Sequence, residues 1–223
     1  MALASLLGIQ PGVTAVIGGG GKTTLLRTLG VELSRKHTVL LCTTTKIFPF
    51  ADIPCARTEE ELEALRKDHR LLCAGQDAPG TGGKLMAPDV PMEQLTKWFD
   101  YILVEADGSA KCPMKAHARH EPVIPSEANQ TICVVGSSGF GRPICEAAHR
   151  PEIYAKLAGV ESTEWITAET EAAVLKAENL HDRIYINQVE TLTDLIEAKT
   201  LAALLEGPVL AGSLQRGEYF ECS

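Results

Sequence analysis

Apolar runs alternate along the chain with leucines at helical spacing. Val13–Ile17 is a continuous apolar run that ends in glycines, which predicts a buried strand. The leucines from Leu25 to Leu33 then recur with helical spacing, which predicts a helix from about Lys22 to Lys36. Because strands and helices follow one another in this order, we expect an α/β fold of the doubly wound type. Its sheet is predicted to be mainly parallel and flanked by helices.

The rest of the chain continues this alternation. Further strands are predicted at Thr38–Cys42, Leu71–Ala74, Tyr101–Val104, Thr131–Val135, Arg183–Ile186 and Pro208–Leu210. Further helices are predicted after the capping-box pattern Thr58–Glu61 and at Pro91–Phe99, Ile144–Leu157, Ala168–Ala177 and Leu192–Leu205. The glycine- and proline-rich segment Asp77–Pro91 is predicted to be a loop or a short hairpin. Without repeats or a flexible linker, residues 1–223 are predicted to form a single domain.

Composition narrows the class of protein and its partners. The 21 basic and 29 acidic residues give a net charge of −8, which argues against a nucleic-acid or anionic-membrane surface. Seven cysteines form no C-x-x-C pair, so neither a disulfide framework nor a zinc ribbon is indicated. No apolar segment approaches membrane-spanning length. We therefore expect a soluble protein of the reducing cytoplasm.

The glycine-rich segment after the first predicted strand has the context of a phosphate loop, here defined as Gly18–Thr24. Glycines let backbone amides approach a β-phosphate, and the start of a helix adds partial positive charge. Lys22 is expected to reach the β- and γ-phosphates, and the Thr23 hydroxyl to ligate Mg²⁺. The candidate nucleotide-binding residues are Gly18, Gly19, Gly20, Gly21, Lys22, Thr23 and Thr24.

Two departures from known patterns define this loop more closely. The full Walker pattern needs glycine where Val16 stands, so the loop resembles the shorter G-x-x-G-K-T-T form of the Mur-ligase type. A dinucleotide fingerprint starting at Gly18 needs glycine where Thr23 stands, which disfavours binding of a dinucleotide cofactor. The alternative is a glycine-rich turn that merely starts a helix.

Polar residues follow two other predicted strands. Glu105 and Asp107 come directly after an apolar strand, where phosphate-loop proteins carry an acid that holds Mg²⁺. Thr43–Thr45 and Lys46 end the second strand, where Thr45 is a candidate for nucleotide contact and Lys46 for neutralising developing charge. The alternatives are a turn acid before Gly108 and a threonine-rich strand end with a solvated lysine.

Three segments of the sequence resemble a known family. VIGGGGKTTLL, LLCTTTKIF and LVEADGSAKCPMKAHARHEPVIP are similar to the accessory proteins of selenium-dependent molybdenum hydroxylases, of the YqeC type. The resemblance implies a role in maturing or supplying a selenium-containing molybdenum cofactor. It also marks Lys115, His120 and Glu121 as site candidates on a proline-bracketed loop, Lys111–Pro125. On these residues we expect phosphate contact, acid/base chemistry or a second ligand.

Three further motifs have competing interpretations. His117 gives an H-x-x-H-E pattern that suggests zinc, but histidines of that spacing belong on a helix and the prolines predict a loop. Asn187–Glu190 stands where phosphate-loop GTPases carry N-K-x-D, yet two of its residues depart from that motif. Arg150 is either a ligand clamp or a surface arginine at a helix start.

These observations lead to one main hypothesis and two rivals. The main hypothesis is a Mg²⁺-dependent protein that binds ATP or GTP, an NTPase or phosphotransferase that acts in selenium–molybdenum cofactor maturation. Its expected partners are the molybdenum cofactor, a selenium species or a molybdenum hydroxylase. One rival is a nucleotide-gated chaperone or switch that delivers cofactor to an apo-hydroxylase. The other is a small-molecule kinase outside selenium metabolism.

Overall fold

The computed structural model describes residues 2–222, which divide into two compact units. Unit 1 comprises residues 2–16, 23–108 and 123–130, and unit 2 comprises Ile17–Lys22, Ser109–Pro122 and residues 131–222. One of the five boundaries between them along the chain falls within the phosphate loop, between Lys22 and Thr23.

The elements occur in the following order along the chain. They are α1 Leu3–Leu6, β1 Gly12–Gly18, α2 Lys22–Leu33, β2 Val39–Thr43, β3 Cys55–Ala56, α3 Glu59–Leu65, β4 Leu71–Ala74, β5 Gln76–Asp77, β6 Leu85–Met86, α4 Met92–Trp98 and β7 Tyr101–Glu105. They continue with β8 Met114–Lys115, β9 Ala128–Gly136, a 3₁₀ turn Ser137–Gly139, α5 Ile144–Ala147, β10 Ala148–His149, α6 Pro151–Ala158, α7 Ala168–Glu178, β11 Arg183–Asn187, α8 Leu192–Leu204, β12 Val209–Ser213 and β13 Glu218–Glu221.

Unit 1 is built on five parallel strands in the order β1, β7, β2, β4, β3. The second and third strands of this order, β7 and β2, are buried along their whole lengths, as is typical of continuous apolar runs in a parallel sheet. Side chains from β2, β4, β7 and helices α3 and α4 pack into a shared apolar cluster that includes Leu62 and Leu95. The predicted cap of α3 is present, since the Thr58 side chain accepts a hydrogen bond from the Glu61 amide.

Unit 2 orders its strands as β9, β11, β12 and β13, of which only the last pair is antiparallel. Helices α7 and α8 each begin at a threonine with a reciprocal capping box, at Thr167 and Thr191. A small parallel pair joins β8 to β10 and places Lys115 beside His149. That pair ties the proline-bracketed loop to the start of α6.

Two predicted segments differ from the observed ones. The single helix expected over Ile144–Leu157 is interrupted at Ala148–Arg150, because the residue before Pro151 is disfavoured in helical conformation and Arg150 adopts a left-handed one with φ 65°. The proline-bracketed loop, expected to hold no regular element, contains the short strand β8. The elements α1, β3, β10 and β13 were not predicted, since they are only two to four residues long and carry little periodicity.

The prediction of a mainly parallel α/β fold with flanking helices is confirmed by the strand pairings within each unit. The hairpin in the glycine- and proline-rich segment is also present, as β5 paired with β6. No helix within residues 2–222 is long and apolar enough to cross a membrane. The organisation as one domain stays a prediction.

Candidate functional site

The first three glycines of the phosphate loop, which belong to unit 2, are packed against other backbone of the same unit. A Cβ at Gly18 would lie 2.3 Å from the Val134 carbonyl oxygen, and one at Gly19 would lie 2.4 Å from that of Pro113. A Cβ at Gly20 would lie 2.4 Å from the Gly136 backbone. Any larger residue at these positions would displace the main chain. Close packing therefore explains the glycines as well as a phosphate cradle does.

The loop amides and Lys22 have partners inside unit 2. The Gly19 amide donates to the Val134 carbonyl at 2.9 Å, and the Gly20 amide donates to the Cys112 carbonyl at 3.2 Å. The Lys22 ammonium donates to the Gly18 carbonyl at 2.6 Å, and the residue is only 3% exposed. The loop is preformed, and its cation is held at its own first carbonyl.

In unit 1, the threonine that follows this lysine meets the predicted metal acid. The Thr23 hydroxyl donates to Glu105 Oε2 at 2.7 Å, across 82 residues of sequence. Thr23 is exposed in the first turn of α2, while Glu105 ends β7 and is 7% exposed. Asp107 is fully buried two residues further on. The two partners supply a hydroxyl and a carboxylate oxygen, the donor types that Mg²⁺ prefers.

Two threonines at the end of β2 hold the end of β7 and the chain beside it. The Thr43 hydroxyl donates to the Glu105 carbonyl at 2.7 Å, and the Thr44 hydroxyl donates to the Val123 carbonyl at the same distance. Thr45 lies beyond the end of β2, and its amide donates to the Thr43 hydroxyl at 2.9 Å. Lys46 is exposed. Thr43 and Thr44 thus position the main chain beside Glu105, and Thr45 and Lys46 are the members of this run that remain candidates for ligand contact.

In unit 2, the site candidates of the proline-bracketed loop converge on one carboxylate. Glu121 Oε2 lies 3.1 Å from the Lys115 ammonium and 3.0 Å from Arg150 Nε. Arg150 also lies 3.3 Å from His120 Nε2, through its terminal nitrogen. We call these four residues the Glu121 cluster. The structure therefore brings all three loop candidates together, and adds Arg150 from the start of α6.

Burial and charge divide the roles within the Glu121 cluster. The Lys115 side chain is fully buried, whereas His120 is exposed and the Arg150 side chain is 29% exposed. Burial by itself would raise the pKa of Glu121, but hydrogen bonds from Arg150 and Lys115 outweigh it and lower the pKa to about 2. A carboxylate so weakly basic is poorly suited to general-base catalysis. Glu121 instead anchors two cations, and His120 and Arg150 face solvent.

A second set of ionisable residues lies on α7 and was not singled out from the sequence. His117 Nδ1 lies 2.7 Å from Glu178 Oε2, and the His117 amide donates to the same carboxylate at 2.6 Å. Tyr154 donates to Glu171 Oε2 at 2.6 Å. Glu171 and Glu178 are two helical turns apart and therefore lie on the same face of α7. Their spacing in the sequence could have indicated that these two carboxylates lie near each other. The His117 of the H-x-x-H-E pattern is thus engaged by Glu178.

The Asn187–Glu190 motif braces the phosphate loop from within unit 2. The Asn187 amide nitrogen donates to the Gly20 carbonyl at 2.7 Å, and its oxygen accepts from the Leu214 amide at 3.1 Å. Glu190 accepts from the Ser213 hydroxyl at 2.8 Å, and Arg216 donates to the Glu190 carbonyl at 2.9 Å. Both functional atoms of Asn187 are therefore used to hold main chain in place.

The chain is similar to known proteins over the region that contains these site residues. A family model described as YqeC protein matches residues 14–152, a range that contains the phosphate loop, Glu105 and the Glu121 cluster. The chain is 33% identical over 161 residues to the uncharacterized protein YqeC of Escherichia coli strain K12, across 68% of this chain and 62% of that protein. A crystal structure of the signal recognition particle 54 kDa protein from Aeropyrum pernix K1 in complex with GDP aligns with a TM-score of 0.42 at 13% identity. That alignment covers 95% of this chain and 44% of the other.

Proposed function

We propose that this chain, which belongs to the YqeC protein family, binds a Mg²⁺–nucleoside triphosphate through its phosphate loop and hydrolyses it or transfers its phosphoryl group. The observation that carries the proposal is the hydrogen bond between Thr23 and Glu105, 2.7 Å long. It joins the residue directly after the loop lysine to an acid at the end of a buried strand. Structural packing explains the glycines, but it does not call for this pair of oxygen ligands.

The residues divide the binding work by their chemistry. Lys22 supplies the positive charge for phosphate oxygens and must exchange its bond to the Gly18 carbonyl for them. Thr23 and Glu105 would hold Mg²⁺, with Asp107 as the second acid of the turn. When bound, the metal ion neutralises charge on the transferring phosphoryl group. The first turn of α2, which begins at Lys22, adds backbone amides that have no acceptor within the helix.

The proposed biological role is maturation of a selenium-containing molybdenum cofactor or hydroxylase. It is supported by the resemblance of the middle segment and by the Glu121 cluster, whose solvent-facing members His120 and Arg150 suit an anionic second ligand. A molybdenum cofactor, a selenium-containing anion or a hydroxylase surface would each present such a group. A strain that lacks this gene should make the hydroxylase polypeptide without its selenium-dependent activity, and full activity in that strain would refute the role.

The binding proposal is tested by replacing Lys22 with a neutral residue of similar length. Lys22→Met keeps the buried stem but removes a charged hydrogen-bond donor, so triphosphate affinity should fall by about 30-fold to 150-fold, the equivalent of about 2–3 kcal/mol. Calorimetric titration with ATP and with GTP, each with and without Mg²⁺, measures it. Lys36→Met, at an exposed position, makes the same charge change and should bind as the wild type does.

The same titrations test two finer points. Glu105→Gln should reduce the gain in affinity that Mg²⁺ produces and leave metal-free binding nearly unchanged. Since Asn187 is fully used in bracing the loop, we expect no strong preference for GTP, with ATP bound at least as well. Unchanged affinity in Lys22→Met would overturn the nucleotide proposal itself. A hundredfold preference for GTP would overturn only the point about the base.

A further inference from the structure

Two cysteines of unit 1 lie directly opposite each other on neighbouring strands. Cys55 on β3 is in register with Cys73 on β4 in the parallel pairing of these strands. Residues in register on adjacent strands point to the same face, and the strands are about 4.8 Å apart. That spacing lies inside the range of about 4.4–6.8 Å between Cα atoms that a disulfide needs.

The two thiols affect each other's ionisation and differ in accessibility. Each shifts the pKa of the other, and both are unoxidised. Cys55 is half-buried, whereas Cys73 is buried. Strand β3 is only two residues long and stands at the end of the strand order of unit 1, so few strand pairings hold Cys55 in place.

A third cysteine supplies an internal contrast. Cys42 lies on β2, where Leu41 rather than Cys42 is in register with Cys73. Because successive side chains of a strand alternate between faces, Cys42 points away from the Cys55–Cys73 pair. Its packing agrees, since Cys42 belongs to the apolar cluster with Ala56 and Ala74, the residues that follow the two paired cysteines.

The surroundings also favour reaction at Cys55. The hydrogen bond from the Cys73 thiol lowers the pKa of Cys55 to about 7, against the effect of burial and with help from the Arg57 charge. The same hydrogen bond, together with burial, raises the pKa of Cys73. Cys55 is thus the thiol that reacts first, and Cys73 is placed to react with its product.

We propose that Cys55 and Cys73 form a reversible thiol–disulfide site that reacts with low-molecular-weight disulfides such as glutathione disulfide. The Cys55 thiolate attacks one sulfur of the small disulfide, which forms a mixed disulfide and releases one thiolate. The Cys73 sulfur then attacks Cys55 Sγ, loses its proton to the released thiolate and expels the second thiolate. The second released thiolate takes up the proton that Cys55 gave up in forming its thiolate. In total the protein loses two electrons and two protons, and one small disulfide becomes two thiols.

The test uses the full-length reduced protein in glutathione buffers of graded oxidising strength. After acid quenching and alkylation, a non-reduced tryptic digest separates the relevant cysteines. Cys55 lies on peptide 47–57, Cys73 on peptide 71–84 and Cys42 on peptide 37–46. Mass spectrometry should find 47–57 linked to 71–84, with the link lost again on return to reducing buffer. Cys42, on peptide 37–46, should remain a free thiol and react with the alkylating reagent only once the protein is unfolded.

Two variants separate a resolving pair from simple surface oxidation. Cys73→Ala should leave one glutathione on Cys55, because the attacking thiol of the second step is gone. Cys145→Ala removes an exposed cysteine elsewhere and should give the linked peptides at the wild-type level. The proposal fails if the wild type keeps glutathione on Cys55 without forming the link, or if Cys145 is modified while Cys55 is not. Links to peptide 37–46 in equal amount would show scrambling in unfolded chains and would also overturn it. The wild-type digest decides the matter even if Cys73→Ala folds poorly.

Discussion

The phosphate loop and the Glu121 cluster hold their functional groups in place by different means. Backbone packing shapes the phosphate loop, with glycines against Val134, Pro113 and the Gly136 backbone and with Asn187 bracing the Gly20 carbonyl. Ionic contacts shape the Glu121 cluster, where one carboxylate receives two cations within 3.1 Å. Steric contacts respond little to pH or salt, whereas ion pairs respond to both. Changes in pH and salt should therefore destabilise the Glu121 cluster, whereas added side-chain volume should destabilise the phosphate loop.

The largest expected effect separates the regions by charge. Glu121→Gln leaves the fully buried Lys115 without its carboxylate partner, so the free energy of unfolding should fall by about 3 kcal/mol. Chemical denaturation at neutral pH measures this loss. Glu127→Gln is the matched control, because Glu127 is exposed and should change stability by less than about 0.5 kcal/mol. Equal stability of the two variants would show that the ion pairs do not hold the cluster.

The next effect separates the regions by shape. Gly19→Ala places a methyl carbon 2.4 Å from the Pro113 carbonyl oxygen, too close for an unstrained contact, and should cost about 1–3 kcal/mol of stability. Gly108→Ala is the control, since a Cβ there meets nothing within 4 Å and neither glycine has a positive φ. High salt should leave the Gly19→Ala loss unchanged but reduce the Glu121→Gln loss. A salt-dependent loss at Gly19 would break the contrast between packing and charge.

The smallest effect sharpens the contrast among charges. The pKa of Glu121 is lowered from 4.5 to about 2, so its contribution is present above pH 4.5 and is lost as the pH falls toward 2. Within residues 2–222, no cation is hydrogen-bonded to Glu171, and burial raises its pKa from 4.5 to about 7. Its contribution is therefore greatest below pH 4.5 and is lost as the pH rises through 7.

The free energy of unfolding, measured from pH 2.5 to 8, tests these opposite dependences of stability on pH. Glu171→Gln should remove the decline between about pH 4.5 and 7, because glutamine stays neutral and can still accept the Tyr154 hydroxyl. Glu121→Gln should remove the loss of stability at acid pH and leave the loss between about pH 4.5 and 7 in place. If both variants kept the wild-type profile, neither carboxylate would be the group that titrates.

Local pattern was sufficient for the longer elements and for a hypothesis about the site. Continuous apolar runs predicted the strands of unit 1, since such runs belong to strands buried on both faces. The spacing of Gly18–Lys22 between a strand and a helix predicted a phosphate loop, and the acids at and just after the end of β7 were proposed as metal ligands from their place at a strand end. These features depend on residues close together in sequence, which is why one sequence reveals them.

Contacts between distant residues were decided only by the tertiary structure. Thr23 meets Glu105 across 82 residues, and Asn187 reaches the Gly20 carbonyl across 167. The left-handed conformation of Arg150, which breaks the helix predicted over Ile144–Leu157, accompanies its bond to Glu121. The burial of Lys22 and the pairing of Cys55 with Cys73 likewise depend on which strands become neighbours. Sequence determined which chemical groups are available, and strand order and burial determined which of them meet, because charge and reactivity depend on surroundings that no local pattern contains.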